Sequence, residues 1–554
     1  MRAESATLTS HPTLTSHPTD IHAPALTMTD GMERKKDNIH PENIKKSETE
    51  SSWDYGSRLH LTEKHQEDSY LNFKTMRHIA KLQWGIIGML GILLPCSMEI
   101  AAETVEDYSL KPRIVVLTDI APTDIEPDDM ESMIRLLAHA DLYEIEGLIA
   151  TGGWNICGRT YPDEWMGYLQ EVINAYEEDL PNLMKRSGQK GFLPVEKEAG
   201  KQTLGYWPSA AYLRGRTAFG SRDLGVNKLG EENRSQGSKM IIDLVDEKDD
   251  RPLWVLVWGG ANTLAQAIWT VRQERSETEV RKFLNKLCVY TITDQDVCGG
   301  PPVDYAFSSH QWIRKTCGKD IRFLWDESAW IVQNTIGSQN WNEYATHVQN
   351  HGNLGKIYPK NKYGVEGDTP SFLHVTPNGL NDPTVCSQTG WGGYFRWGLS
   401  PDSLTTCYTN ADPAVREISE KYEKYFYPAI FANFTSRMDW AAYGKGNRNP
   451  IVIVNGEKGL SPIIIEPETE KELQLNASES ADPDKDELTF HWWILPEAGT
   501  YTSTVSIRDA DKANAILRIP RDAAGKELHI ICEVTDNGTP ALTGYRRVII
   551  RPKR

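Results

Sequence analysis

The chain is expected to fold as an α/β domain, with a mostly parallel sheet flanked by helices, followed by a smaller immunoglobulin-like β-sandwich. Two observations predict this. From 112 to about 440, short apolar runs alternate with amphipathic stretches at helical spacing, the pattern of a parallel sheet covered on both faces. After Asn447-Arg-Asn-Pro450 the texture changes to strand-like runs separated by turn residues, and roughly a hundred residues of that kind suit a two-sheet sandwich.

Taken in order, Ile114 to Thr118 reads as a buried strand. Met130 to Ala140 follows with Met130, Met133, Ile134 and Leu137 on one helical face, and Ile145 to Ala150 starts the next strand. Leu253–Val257, Leu287–Ile292 and Arg322–Trp325 read as further strands, and Asn262–Val271 as a helix. In the small domain, strands are expected at 451–454, 472–475, 488–493, 515–519 and 529–534. Strand alternation there turns one indole of Trp492-Trp493 inward and the other outward. The expected divisions are 104–445 for the α/β domain and 446–554 for the sandwich.

Upstream, residues 76–103 combine a basic start, a short apolar run from Trp84 to Leu94 and the small pair Ala101-Ala102. These are the parts of a secretory signal, and the run is too short to span a bilayer comfortably. The protein is therefore expected to be exported, to the periplasm, the medium or a lipid anchor at the cell surface, with no transmembrane span once mature. Residues 1–75 are polar and carry Thr-Leu-Thr-Ser-His-Pro twice, at 7–12 and 13–18. They bury too little apolar surface to offset backbone ordering, and are read as a disordered or mis-assigned extension upstream of a start at Met76.

Composition narrows the partners. A formal charge of -17 over 554 residues argues against nucleic acid, whose phosphates require clustered Lys and Arg. The 17 Trp favour a sugar ligand, since indole faces grip the apolar side of sugar rings, although many Trp fill cores. None of the eight Cys stands in a zinc spacing.

The most informative stretch runs from Asp119 through Asp124, Glu126 and Asp128 to Asp129, five carboxylates directly after a buried strand. Close together they repel and raise one another's pKa, which a hard divalent ion with oxygen ligands relieves, and calcium tolerates irregular loop geometry. The bland alternative is that Asp128 and Asp129 only favour a helix amino terminus. Gly152-Gly153-Trp154-Asn155 ends the next strand, and Trp258-Gly259-Gly260-Ala261-Asn262 ends another, where glycine permits close backbone approach to a ligand. Asp368 offers a distant carboxylate in a turn. Asp294, just after the strand at 287–292, and Trp391, in Trp391-Gly-Gly393, are further candidates for lining the cleft. Asp482-Pro-Asp484-Lys-Asp486 reads either as a calcium loop or as a simple turn.

In this order the acidic loop, Gly147-Leu-Ile-Ala-Thr151, Gly259-Gly-Ala-Asn-Thr-Leu-Ala265 and the late Asp368 resemble the nucleoside hydrolase fold. With Asn378-Gly-Leu380, Trp391-Gly-Gly393, Arg437-Met-Asp-Trp440 and Thr535-Asp-Asn-Gly-Thr-Pro-Ala-Leu542, the chain is more closely similar over 112–554 to a secreted cellulose-binding family. That family joins a nucleoside hydrolase-like domain to a carboxyl-terminal immunoglobulin-like one. The resemblance implies a calcium site using Asp119, Asp129, the Asn262 carbonyl and Asp368, with Asp128 on a sugar hydroxyl. It implies hydrolysis of an N-glycosyl or related sugar bond, with Asp119, Asp124, Glu126 and Asp128 as catalytic candidates; Trp154, Asn155, Asp294 and Trp391, read from their places after strands and in loops, are the candidate substrate contacts. The ligand would be a nucleoside-like small molecule or a carbohydrate, cellulose or another plant polysaccharide among them. Two departures stand out. The acidic loop is longer than in the enzymes, and the His preceding their late Asp is Gly367 here. Without an acid for the leaving group, binding without catalysis is the alternative reading.

Overall fold

Every residue of β1 (Arg113–Thr118) is buried, so both faces of its sheet are covered, as strands in parallel sheets require. The same holds for β2 (Glu144–Ala150), β4 (Leu253–Val257) and β5 (Leu287–Ile292). With β3 (Thr217–Phe219), β6 (Arg322–Asp326), β7 (Arg396–Leu399) and β8 (Thr406–Thr409) they form one eight-stranded sheet. This computed structural model describes residues 110–553, apart from 158, 298–303 and 386. The expected extension and export signal lie outside the described residues.

The strand order is β3-β2-β1-β4-β5-β6-β8-β7, parallel except for the closing β7–β8 hairpin. Alternate side chains of β1 enter opposite layers. Ile114 and Val116 join the core under α1 (Pro127–Leu137), α2 (Met166–Ser187) and the long α8 (Pro413–Tyr443). Val115 and Leu117 join the core under α3 (Gln236–Asp246), α4 (Asn262–Glu274) and α5 (Ser309–Cys317). From β1 the chain moves outward one way to β2 and β3, then returns to build β4, β5 and β6 on the other side. The crevice beyond the carboxyl ends of β1 and β4 is thus a topological switch point, where such sheets bind ligands.

Helix α1 starts at Pro127, three residues before the expected Met130. A proline at the first helical position already has helical φ and lacks an N–H that would go unbonded. The edge hairpin β7–β8 was not foreseen, because β7 is largely exposed and β8 buries only Cys407 and Thr409, too short an alternation to stand out.

The small domain pairs the sheet β10 (Glu472–Asn476), β13 (Asn514–Arg518), β12 (Ile507–Arg508) with the sheet β11 (Leu488–Ile494), β14 (Leu528–Asp536), β15 (Thr543–Ile550), β9 (Ile463–Ile465) around one apolar core. The stretch 451–454, expected as a strand, makes only isolated bridges, Ile451 with Ala481 and Val454 with Glu457. Trp492 is sealed in the sandwich core, while Trp493 stacks on Tyr422 of α8 with ring centroids 6.2 Å apart. The same seam buries Arg547, which donates to the carbonyls of Leu380 and Thr389, each at 2.8 Å, and Asn447, which donates to Asp536 at 2.8 Å. At 482–486 the turn reading fits. Asp482 Oδ1 accepts the N–H groups of Asp484 and Asp486, and Asp484 is paired with Arg186 and Arg448.

Candidate functional site

Asp119, the first residue past β1, is fully buried, and neither carboxylate oxygen receives a hydrogen bond. Gly153 beyond β2 and Gly259 beyond β4 close over it. A β-carbon at 153 would collide with Asp119 Oδ2, and one at 259 would stand 2.9 Å from Oδ1. Their glycines are therefore needed for close approach to a carboxylate.

The loop then turns back through Pro122, whose carbonyl accepts from Ile125 and Glu126 at 2.7 and 3.0 Å. It delivers Asp128 and Asp129 into the first turn of α1, where unpaired N–H groups favour negative charge. Asp129 is buried and accepts a short bond from the Thr118 hydroxyl. One oxygen each from Glu126, Asp128 and Asp129 lies within 4.8 Å of the others. Asp368, capping α7 (Thr369–Leu373), arrives from the far side of the sequence, buried and with Oδ2 lacking a donor.

These groups disturb one another. Burial, then Asp129 and Asp128, hold Asp119 well above the usual carboxylate range. Burial, then Asp129, Asp128 and Asp119, do the same to Asp368. Burial, followed by hydrogen bonding to Asp128, raises Glu126. Burial and Asp128 push Asp129 from an ordinary 3.8 to about 7. Several acceptors facing one another without donors must take up protons or a cation, and an all-oxygen set suits a hard ion such as calcium. The residues present fit that ion.

The sign of the pH dependence follows from Asp129. Between about 4 and 7 the folded state binds a proton that the unfolded state releases, so without cation this group's stability contribution falls as pH rises, and it levels above 7. A cation bound there would displace that proton and be held more tightly over the same interval. Thermal melts of wild type and Asp129→Asn in chelator should diverge as pH rises from 5 to 8, the wild type losing ground. Parallel curves would refute the assignment.

The other expected residues divide. Asn155 Nδ2 donates to the Asp119 carbonyl at 2.6 Å and steadies the loop. Trp154 is 44% exposed and free to meet a ligand. The Asn262 side chain is committed to both backbone groups of Gly225, at 3.1 and 2.8 Å, and to Ser309. Any ligation there falls to its carbonyl. Asp124 is exposed, outside the group formed by Glu126, Asp128 and Asp129.

Two expectations are corrected. Asp294 is buried, and both its oxygens accept from Ser308, the cap of α5, at 3.0 and 2.8 Å. It anchors a helix and, 2% exposed, presents no open face. Trp391 is 5% exposed and packs edge-on against Tyr545 in the seam between the domains, so it offers no face for stacking.

Three further residues contribute, of which Glu131 and Asn334 carried no sequence signal and Gln295 stood only in the turn of Asp294 after the strand at 287–292. Gln295 accepts from the Trp154 N–H and donates to the Trp258 carbonyl, tying two rim segments together. Glu131 accepts the Glu366 N–H at 2.8 Å behind the acidic group. Asn334, on α6 (Ala329–Gln339), lies over Gly364 and Gly367.

A switch-point crevice lined by carboxylates from the first strand's loop and from one late turn defines a nucleoside hydrolase-like domain, here joined to a β-sandwich. The family model described as "Cellulose-binding Sde182, nucleoside hydrolase-like domain" matches residues 113–395, and "Cellulose-binding protein Sde0182, C-terminal domain" matches 472–552; the chain belongs to this family. A solved nucleoside hydrolase-related hypothetical protein from Saccharophagus degradans, described as associated with carbohydrate metabolism, is 32% identical. The match covers 80% of this chain and 100% of that one, with a TM-score of 0.68. The PKD domain from the KIAA 1837 protein is a much weaker likeness, 16% identical over 18% of this chain and 94% of that one, at a TM-score of 0.12. No curated protein matches. Among the described residues no helix is long and apolar enough to cross a membrane.

Proposed function

We propose that this is an exported carbohydrate-binding protein whose acidic crevice grips sugar hydroxyls of a polysaccharide with the help of calcium. The observation that carries the reading is the convergence of Asp119, Glu126, Asp128 and Asp129 with the distant Asp368 in one buried space, in a family described as cellulose-binding. Asp119, Asp129 and Asp368 would hold the ion, with the Asn262 carbonyl. When bound, calcium supplies positive charge to which neighbouring hydroxyls and a water are drawn. Asp128, only half-buried, is left to accept a hydrogen bond from a sugar hydroxyl, and the exposed Trp154, next to the Gly153 that covers Asp119, offers a ring face. Export is supported by the signal-like segment at 76–103 and by a disulfide at Cys157, since such bonds persist in oxidising compartments.

Hydrolysis of a glycosidic bond is the second reading, favoured by Glu126 and Asp128, two clustered carboxylates that the proposed ion site does not use. Asp128 or Glu126 would then take a proton from water. Gly367 leaves no acid at the position where the related enzymes have one, a loss worth about 10²–10⁴ in rate.

Cellulose pull-down of wild type and Asp129→Ala, with calcium or chelator, tests the first reading. Retention should need both calcium and Asp129; retention indifferent to both overturns it. Parallel incubation with nucleosides and plant oligosaccharides tests the second, which fails if neither free base nor reducing sugar is released.

A further inference from the structure

Resting on the carbohydrate reading, we propose that the crevice continues into a second sugar subsite beside the Asp124 turn, built by Tyr363 and Asn334. Its ligand is then a chain of sugar units and not a single nucleoside. Tyr363 is 67% exposed, yet its ring is not left loose. Its hydroxyl donates to the Asp124 carbonyl at 3.4 Å, and Lys362 donates to the same carbonyl at 2.5 Å. The Lys362 ammonium sits 4.7 Å from the ring centroid, over one face. An exposed aromatic ring held in place by its own hydroxyl and its neighbour's charge is prepared for the apolar face of a sugar at little further ordering cost.

Asn334 supplies the polar half. A β-carbon at Gly364 would lie 2.5 Å from its Cγ. One at Gly367 would lie 2.6 Å from Asp128 Oδ2 and 3.0 Å from Asn334 Nδ2. The amide and Asp128 therefore share the space that a side chain at 367 would fill. Asn334 Oδ1 is buried there without a donor, a cost that a hydroxyl from a ligand removes. A neutral amide neither protonates a leaving base nor pairs with an anion; it both donates to and accepts from hydroxyls. Residues 362–368 thus bring an aromatic face, two glycines that admit the amide and the Asp368 carboxylate to one edge of the crevice.

Titration calorimetry of the full chain in calcium, with glucose and with cello-oligosaccharides of two to six units, tests this. Wild-type affinity should rise with length. Tyr363→Ala and Asn334→Ala should each weaken the hexasaccharide about tenfold, the size of one stacked or hydrogen-bonded contact, and Tyr363→Ala should leave glucose binding unchanged. Tyr363→Phe, which keeps the ring, should retain most of the gain, and thermal melts check that each variant is folded. Wild type that binds oligosaccharides while the folded variants bind them equally, or while Tyr363→Ala loses affinity equally at every length, overturns the subsite alone. Wild type that binds no sugar at any length overturns the subsite and the carbohydrate reading together.

Discussion

Asp119→Asn should make the cation-free protein more heat-stable than wild type and remove the stabilisation that calcium gives. Asp119 is buried with no donor on either oxygen and faces the Asp128 and Asp129 carboxylates. Wild type without cation therefore holds either an uncompensated buried charge or a proton taken up at the expense of pH-dependent stability. Asparagine keeps the shape between Gly153 and Gly259, removes the charge and brings a donor. Calcium that binds only the folded state raises stability in proportion to the logarithm of its concentration above Kd. Melting temperature against calcium concentration should climb for wild type and stay flat for Asp119→Asn. A variant that is less stable in chelator and still gains from calcium would show that the ion is held elsewhere.

The second large effect is expected at Arg135. Its guanidinium is 1% exposed, bonds Glu366 at 2.5 Å and the Ile430 carbonyl at 2.8 Å, and lies 4.6 Å from the Phe434 ring centroid. Glu366, fully buried, also accepts from Tyr358 at 2.9 Å and Tyr344 at 3.2 Å. Its φ of 60° is in the left-handed region that favours glycine. This network holds the turn that presents Asp368 two residues later. Arg135→Ala leaves the carboxylate buried and unpaired, and should cost about 3–5 kcal/mol in denaturant unfolding. Arg135→Met with Glu366→Gln should recover much of that, because the unpaired charge is gone. Calcium affinity should drop in the single variant, since the strained turn loses its anchor. A cost under about 1 kcal/mol, the range of exposed pairs, would refute the role assigned to the pair.

Much of the architecture was legible because the relevant signals are local. Apolar runs such as Ile114–Leu117 and Leu253–Val257 announce buried strands, and the carboxylate-rich loop after the first of them stands out from any ordinary turn. What misled was burial decided by partners far along the chain. Asp294 looks like a cleft residue until Ser308 takes both its oxygens, and Trp391 looks like a platform until Tyr545 of the other domain covers it. Asn334 was missed, and the bridging role of Gln295 was not legible, for the converse reason. A polar residue within an ordinary helix or turn gains meaning only when two glycines, or two strand ends, are brought against it. Asp368 stood out only as a carboxylate in a turn, its part in the site came from the resemblance, and its nearness to Asp129 is a fact of tertiary structure.

The stacking of Trp493 on Tyr422 and the anchoring of Arg547 on two carbonyls of the larger domain bear on how the protein can be dissected. A fragment cut after Tyr443 would bare Tyr422, Phe426 and Trp391 as one sticky aromatic swath. Such a stub should clump in solution, so the α/β half is best studied with its β-rich companion still attached.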